Sequence, residues 1–428
     1  MGTRRLFAVV LAFACALAVF AVTRGDERAA AGPPSSAGGA ELRPDASTDA
    51  QVRRLQAEVR QGAPREAELA AAYLQEARES GDPGFYARAD GVLRRALARG
   101  PANPAELTEA AALAAGRHDF REAERLARRA RALAPDALEP LPILVDALVE
   151  LGRYGEAERT LQRLVDLKPS LAAYARVSYV RELHGDLRGA IGALNLAISA
   201  GGPVRENVAY LQSLLGGLEL GRGRLGAARR AFDAALVAVP DYAPAVAGRA
   251  RLAARTGDLR GAIKRWRRLV ARLPLPEYAI ALGEAELAAG RVSAARRDLA
   301  LVPVQERLLA EAGVNADVEL AVYEADHGDP RRGVALARAA WAQAPGVRSA
   351  DALGWALTRA GRPRAGLEWA RRALRLGSVD PLFRYHAGVA AVAVARRAEG
   401  ERNLRVALSH GLDALPLHAN HARKELAR

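Results

Sequence analysis

The sequence predicts an all-α protein, a solenoid of about ten helix–turn–helix repeats. Three observations carry that prediction. Small residues recur at Ala89, Ala123, Ala157, Ala190, Ala228, Ala262, Ala295, Gly333, Gly366 and Gly400, in steps of 34, 34, 33, 38, 34, 33, 38, 33 and 34 residues. A turn precedes most of these markers by five to eight residues: GRHDF, GRY, GDL, GRL, GDL, GRV, GDP and GRP. Twelve residues after the marker stands a proline, at Pro101, Pro135, Pro169, Pro240, Pro274 and Pro345. A period near 34 in which each unit reads helix, turn, helix belongs to a stack of units that bury one continuous core.

The chain opens with Arg4 and Arg5, followed by the apolar run LFAVVLAFACALAVFAV from Leu6 to Val22. A short basic stretch before an apolar core reads as an export signal. As a helix the run spans about 25 Å, slightly short of a hydrocarbon core of about 30 Å, so a cleaved signal peptide and an uncleaved anchor both fit. Residues 1–23 are therefore read as signal or anchor, with the two arginines on the cytoplasmic side and everything after Val22 outside. TRRLF also resembles a twin-arginine export signal; plain export is preferred because the repeats show no cofactor site. Residues 24–47, including AAAGPPSSAGG, lack apolar periodicity and read as a flexible linker. An N-terminal helix is expected over 48–64, where Thr48 and Gln51 have capping-box spacing and Leu55 and Val59 lie one turn apart. The solenoid fills 65–428.

Within each repeat every signal has a physical task. Glycine at the turn supplies the left-handed conformation that ends a helix. The aspartates of Gly185-Asp186, Gly257-Asp258 and Gly328-Asp329 are placed to cap the helix that follows. Alanine or glycine at the marker lets two antiparallel helices approach closely, and the proline then stops the second one. The two 38-residue steps contain AGGPVRENV and VPVQERLLAEAGVN, each expected to add about one helical turn. GLDALPLHANHARKELAR has room for a terminal capping helix with its polar residues outward.

The marker, an alanine seven residues on and a proline twelve residues on resemble the pattern of the tetratricopeptide repeat family. The resemblance covers roughly residues 65 to 428 and also takes in Leu215-Gly216, Leu282-Gly283 and Leu353-Gly354. It implies a right-handed superhelix whose first helices line a concave groove, and it resembles exported bacterial proteins of this type. The large aromatic usual early in the first helix is mostly missing, its slot holding Leu141, Tyr174, Gln212, Val246, Ala279 and Asp317. The ligand-facing positions of the family fall here on Asp146, Tyr179, Tyr210, Arg251, Arg255, Arg348, Asp351, Trp355, Arg359 and Tyr385, with Glu150, Glu182, Ser213, Glu284 and Asp326 on the same rows. Asp351 and Trp355, one turn apart with Arg348 and Arg359 beside them, form the leading cluster. Trp355 itself reads equally well as core or as groove.

Composition narrows the function further. Half the residues are hydrophobic and 5% aromatic, which suits close-packed helices. The net charge is +14, nearly all from arginine, since lysine occurs only at 168, 264 and 424. The single cysteine, Cys15, leaves the repeats without a disulfide framework or a cysteine metal site. No P-loop, dinucleotide fingerprint, nucleophile elbow or HExxH is present. His418 and His421 have HxxH spacing without an evident third ligand, and are read as surface histidines rather than zinc ligands. The acids of EADHGD, Glu324 to Asp329, are read as capping a turn. Trp266 in IKRWRRLVAR is expected to pack inward, leaving its arginines as a solvated face. These readings describe a chain that is not an enzyme and holds no cofactor or metal. Its partner is a protein or peptide, nucleic acid being disfavoured. The alternatives are a subunit of an envelope enzyme complex and a basic-surface binder of anionic polymer or nucleic acid.

Overall fold

The computed structural model describes residues 48–201 and 204–428. The segments read as signal or anchor and as linker, residues 1–23 and 24–47, lie outside the described residues. Among those residues the chain is helical throughout, with no strand, and no helix is long and apolar enough to cross a membrane. A first helix, α1 (Thr48–Arg60), is followed by antiparallel pairs: α2 and α3 (Glu66–Ser80, Gly84–Ala98), α4 and α5 (Pro104–Gly116, Phe120–Leu133), α6 and α7 (Pro140–Glu150, Tyr154–Leu167). The series continues with α8 and α9 (Leu171–Leu183, Leu187–Ser199), α10 and α11 (Arg205–Gly221, Leu225–Ala238), α12 and α13 (Ala243–Arg255, Leu259–Arg272). Then come α14 and α15 (Pro276–Ala288, Val292–Leu299), the extra helix α16 (Val302–Glu311), α17 and α18 (Asp317–His327, Pro330–Gln343), and α19 and α20 (Val347–Arg359, Pro363–Ala373). The chain ends in α21 and α22 (Pro381–Ala393, Arg397–Ser409), a 3-10 turn (Leu412–Ala414) and α23 (Pro416–Ala427).

Every marker lies in the second helix of its pair and is buried. The reason is steric. At Gly333 an added Cβ would stand 2.9 Å from the Ala321 carbonyl, and at Gly366 it would stand 2.7 Å from that of Gly354. Backbones this close leave no room for a larger side chain. Asp186, Asp258 and Asp329 each cap the following helix, accepting from the amides of Gly189, Gly261 and Arg331.

The two long steps differ from each other. The first lengthens a helix, α10 reaching 17 residues where most first helices have 11 to 13. The second breaks one, α15 stopping after 8 residues before α16 starts at Val302-Pro303. Proline tolerated at the first turn of a helix but not in its middle accounts for that break.

Six of the eight turn glycines adopt the left-handed conformation; Gly116 and Gly328 do not. In the GRHDF turn it is His118, with φ of 61°, that takes the left-handed slot. Two of these turns do more than reverse the chain. A Cβ on Gly152 would run into the Pro345 carbonyl, and one on Gly185 would come within 2.7 Å of the Gly377 carbonyl. The superhelix is wound tightly enough that one turn of it rests on the next. The seam is made by bonds between residues 193 to 197 apart, such as Val347 N–H to the Tyr154 hydroxyl at 2.9 Å and the His118 ring to the Asn315 carbonyl at 2.6 Å.

Candidate functional site

First helices face the superhelix axis, so their inward rows decide what the groove can hold. In the N-terminal half the row is closed by a buried ion pair. Arg176 of α8 donates Nε to Asp146 Oδ1 at 2.9 Å and Nη2 to Oδ2 at 2.6 Å. It also reaches the carbonyls of Pro142 and Ala172 at 3.1 and 3.0 Å. The side chains are 1% and 7% exposed. Burial pushes the Asp146 carboxyl up, to about 7, against the opposing pull of Arg176.

In the C-terminal half the row opens into a larger cluster drawn from α14, α17, α19, α21 and α23. Trp355 is at its centre, 1% exposed. Its indole N–H donates to Asp326 Oδ1 at 3.1 Å, the His386 ring stacks on it at 4.3 Å, and Tyr385 lies 5.6 Å away. Asp351 is paired with His386, Oδ2 to Nδ1 at 2.9 Å. The Tyr385 hydroxyl meets His421 Nδ1 at 2.8 Å, and His327 Nε2 meets Glu284 Oε1 at 3.1 Å. Arg359 donates to the Ala325 carbonyl at 3.1 Å and spreads over the Trp355 ring.

Buried opposite charges tune one another here. Burial would push the Asp326 carboxyl up, but His418, His386 and His327 together hold it below the ordinary carboxylate value. Burial likewise works against a charged His418, yet Glu284 and Asp326 raise it above the usual histidine value. Tyr385 is raised by burial and by the neighbouring Asp326.

Of the groove positions read from the sequence, Asp351, Trp355, Arg359 and Tyr385 come together in this cluster. Arg348, on the same helix, turns instead to Glu319 of α17 at 3.1 Å. Asp146 is held by Arg176, and the Tyr179 hydroxyl donates to Glu150 Oε1 at 3.3 Å. Tyr210 is buried in α10. Arg251 lies over the Trp266 ring at 5.5 Å, and Arg255 donates to the Leu220 carbonyl; burial lowers both guanidinium pKa values. Trp266 packs inward, 3% exposed.

One reading is corrected. His418 is not a surface histidine: α23 carries it onto the axis, between Glu284 and Asp326. The acids of EADHGD also divide. Asp329 caps α18 and Glu324 accepts from the Asp329 amide in the turn, whereas Asp326 faces the cluster beside His327. His386 and Arg176 were not legible as site residues, since nothing in their own repeats distinguishes them. The HxxH spacing was the one available signal for His418, and its missing partners lay in helices more than ninety residues earlier.

Residues 112–178 match the family model for the tetratricopeptide repeat. Together with the run of antiparallel pairs, this match identifies tetratricopeptide repeats in that segment, of a fold that generally carries no catalytic machinery of its own. Among solved structures it is similar to a human IFIT1 dimer with PPP-AAAA (16% identity over 77% of this chain and 79% of that one, TM-score 0.45). It is also similar to the APC/C hetero-tetramer Cut9-Hcn1 (13%, 89% and 96%, TM-score 0.32). A third is a tetratricopeptide repeat protein from Parabacteroides merdae (17%, 61% and 98%, TM-score 0.33). No curated protein matches.

Proposed function

We propose that this chain is a non-catalytic scaffold whose concave groove holds an acidic segment of a partner protein. One observation carries the reading. Of the ten groove positions, the acids and most aromatics (Asp146, Asp351, Tyr210, Trp355, Tyr385) are buried, while those that keep accessible surface are Arg251, Arg255, Arg348, Arg359 and Tyr179. Four guanidinium groups therefore reach the groove, beside the accessible acids Glu150, Glu182 and Asp326 of the same rows. Each guanidinium is steadied by a neighbour, Trp266, the Leu220 carbonyl, Glu319 or the Ala325 carbonyl. Guanidinium forks fixed in advance suit carboxylates and lose little freedom on binding. The net charge of +14 draws acidic partners to the same surface. The setting we propose is the outer side of the cytoplasmic membrane, on the strength of the apolar run from Leu6 to Val22 behind Arg4 and Arg5.

The test is capture from a membrane-protein extract by the wild-type chain and by Arg251→Glu/Arg255→Glu. Charge reversal at two groove arginines is expected to weaken a defined partner at least about tenfold. Equal capture by both would place the binding surface elsewhere. If the wild type retains only nucleic acid or anionic polymer, and loses it steeply with salt, the basic surface and not the groove is the functional feature.

A further inference from the structure

The part of the axial cluster that the scaffold reading does not use is the meeting point of Glu284, Asp326 and His418. One donor atom from each lies within 4.8 Å of the others. Glu284 and Asp326 come from α14 and α17, first helices of successive repeats, and His418 comes from α23, which the winding of the solenoid brings to the same point. His418 is 6% exposed, and its Nδ1 has no hydrogen-bond partner. Its two ring nitrogens stand 3.8 Å from Glu284 Oε2 and 3.8 Å from Asp326 Oδ2. Those gaps are too long for hydrogen bonds, which close at about 2.7–3.2 Å. Each gap involves a different ring nitrogen, Nδ1 toward Glu284 and Nε2 toward Asp326, and one of the two can bind a given ion. One ring nitrogen and one oxygen from each carboxylate lie within 4.8 Å of one another, and an ion would draw them toward the roughly 3.3 Å that separates tetrahedral ligands about 2.0–2.1 Å from zinc.

The other oxygen of each carboxylate is already held. Glu284 Oε1 is fixed by His327 Nε2 and Asp326 Oδ1 by the Trp355 indole N–H, both at 3.1 Å. Arg359 approaches the same Oδ1, at 3.9 Å. Oε2 and Oδ2 are thus the oxygens left facing His418. A metal ligand whose second atom is tied down by an outer group is the usual construction of a protein metal site. The chemistry selects the class of ion. An imidazole nitrogen with two carboxylate oxygens suits zinc and its first-row neighbours, whereas magnesium and calcium prefer all-oxygen shells.

We propose that Glu284, Asp326 and His418 bind one divalent transition-metal ion of the zinc type, which fastens the terminal helix α23 to α14 and α17 across the groove. Three protein ligands leave a fourth position for water. The ion neutralises two carboxylates that the fold has withdrawn from solvent, and it links the last helix to a repeat near the middle of the array.

The experiment is a calorimetric titration of Zn2+ into the metal-stripped full chain, repeated with Co2+ to read its visible absorption. One saturable equivalent of Zn2+ is expected, with a tetrahedral Co2+ spectrum and a melting temperature raised by the metal. His418→Gln and Asp326→Asn are each expected to weaken binding at least about a hundredfold, and Trp355→Phe, which frees Asp326 Oδ1, about tenfold. Melting in chelator checks that each variant is folded; Glu284→Gln serves where one is not. Absence of saturable Zn2+ binding by the wild type overturns the proposal. So does binding undiminished in the ligand variants, or binding lost instead in His184→Gln or His410→Gln, whose rings lie outside the cluster.

Discussion

Two buried charge clusters occupy equivalent rows of the same solenoid and are built on opposite plans. In the N-terminal half Asp146 meets Arg176, thirty residues on and in the next repeat, and the pair satisfies itself through two parallel bonds. In the C-terminal half Asp351, Asp326 and Glu284 meet histidines contributed by α17, α21 and α23. A guanidinium is always charged and its fork matches a carboxylate, so the first cluster is complete as it stands. Imidazoles change charge near neutrality and present a lone pair when neutral, so the second has coordination left over. The first plan fixes the stacking of two neighbouring repeats. The second also draws in α23, which the chain order does not place beside α14 or α17, and that is where a ligand has something to add.

The largest effect is expected where the self-contained pair is broken. Arg176→Ala leaves Asp146 buried without its partner and should cost about 3–5 kcal/mol of stability, read as a lower urea midpoint. His386→Ala also leaves a buried carboxylate, Asp351, without its partner, but it removes one hydrogen bond where Arg176→Ala removes two to Asp146 and two to carbonyls, and its cost should be smaller. If the two variants lose equal stability, the distinction between a structural pair and an adaptable cluster fails.

A middle-sized effect is expected at Gly354, the residue before Trp355. A Cβ there would stand 2.8 Å from the Ala370 amide and 3.0 Å from the Gly366 carbonyl. Gly354→Val should therefore cost about 1–3 kcal/mol by forcing α19 and α20 apart. It should also shift Trp355 within its cluster, visible as a changed near-ultraviolet circular dichroism spectrum. The same substitution at Gly192, which has nothing within 4 Å, should leave that spectrum unchanged.

These two regions also show how far the sequence could be read. Helix pairing was legible because each marker answers a local demand: Ala157 and Gly366 must be small wherever two helices cross, whatever lies around them. The inward position of Trp266 was legible for the same reason. What the groove contains was not. The burial of Asp146 depends on which residue stands at 176, and a repeat pattern tolerates any side chain there. His418 joins Glu284 only through the pitch of the superhelix, a sum of many small rotations between repeats that no single turn specifies. The seam at Gly185 and Gly377 has the same origin and pairs backbone with backbone, leaving no side-chain signal to find.

The smallest effect concerns that seam and depends on pH. His118 takes the left-handed turn position that glycine holds in most repeats, and its ring bonds to the Asn315 carbonyl in the next turn of the superhelix. Burial holds its pKa below the ordinary value, although Glu319 pulls the other way, while Arg348 adds to the depression. A depressed histidine stabilises the fold in its neutral form. Its contribution is complete above about pH 6.5 and is lost as the pH falls from there through the folded-state value, because the unfolded chain binds the proton more readily. His118→Gly keeps the turn, since glycine adopts this conformation without strain. It forfeits a hydrogen bond of about 1 kcal/mol and relieves a left-handed residue costing about 1–2 kcal/mol, so stability at pH 8 should barely change. At pH 5 the variant should be more stable than the wild type, with the difference opening across the histidine range. Urea midpoints at the two pH values measure it. A wild-type and variant difference that stays constant would mean that the seam does not exclude the proton and that the ring at 118 serves only to fill the turn.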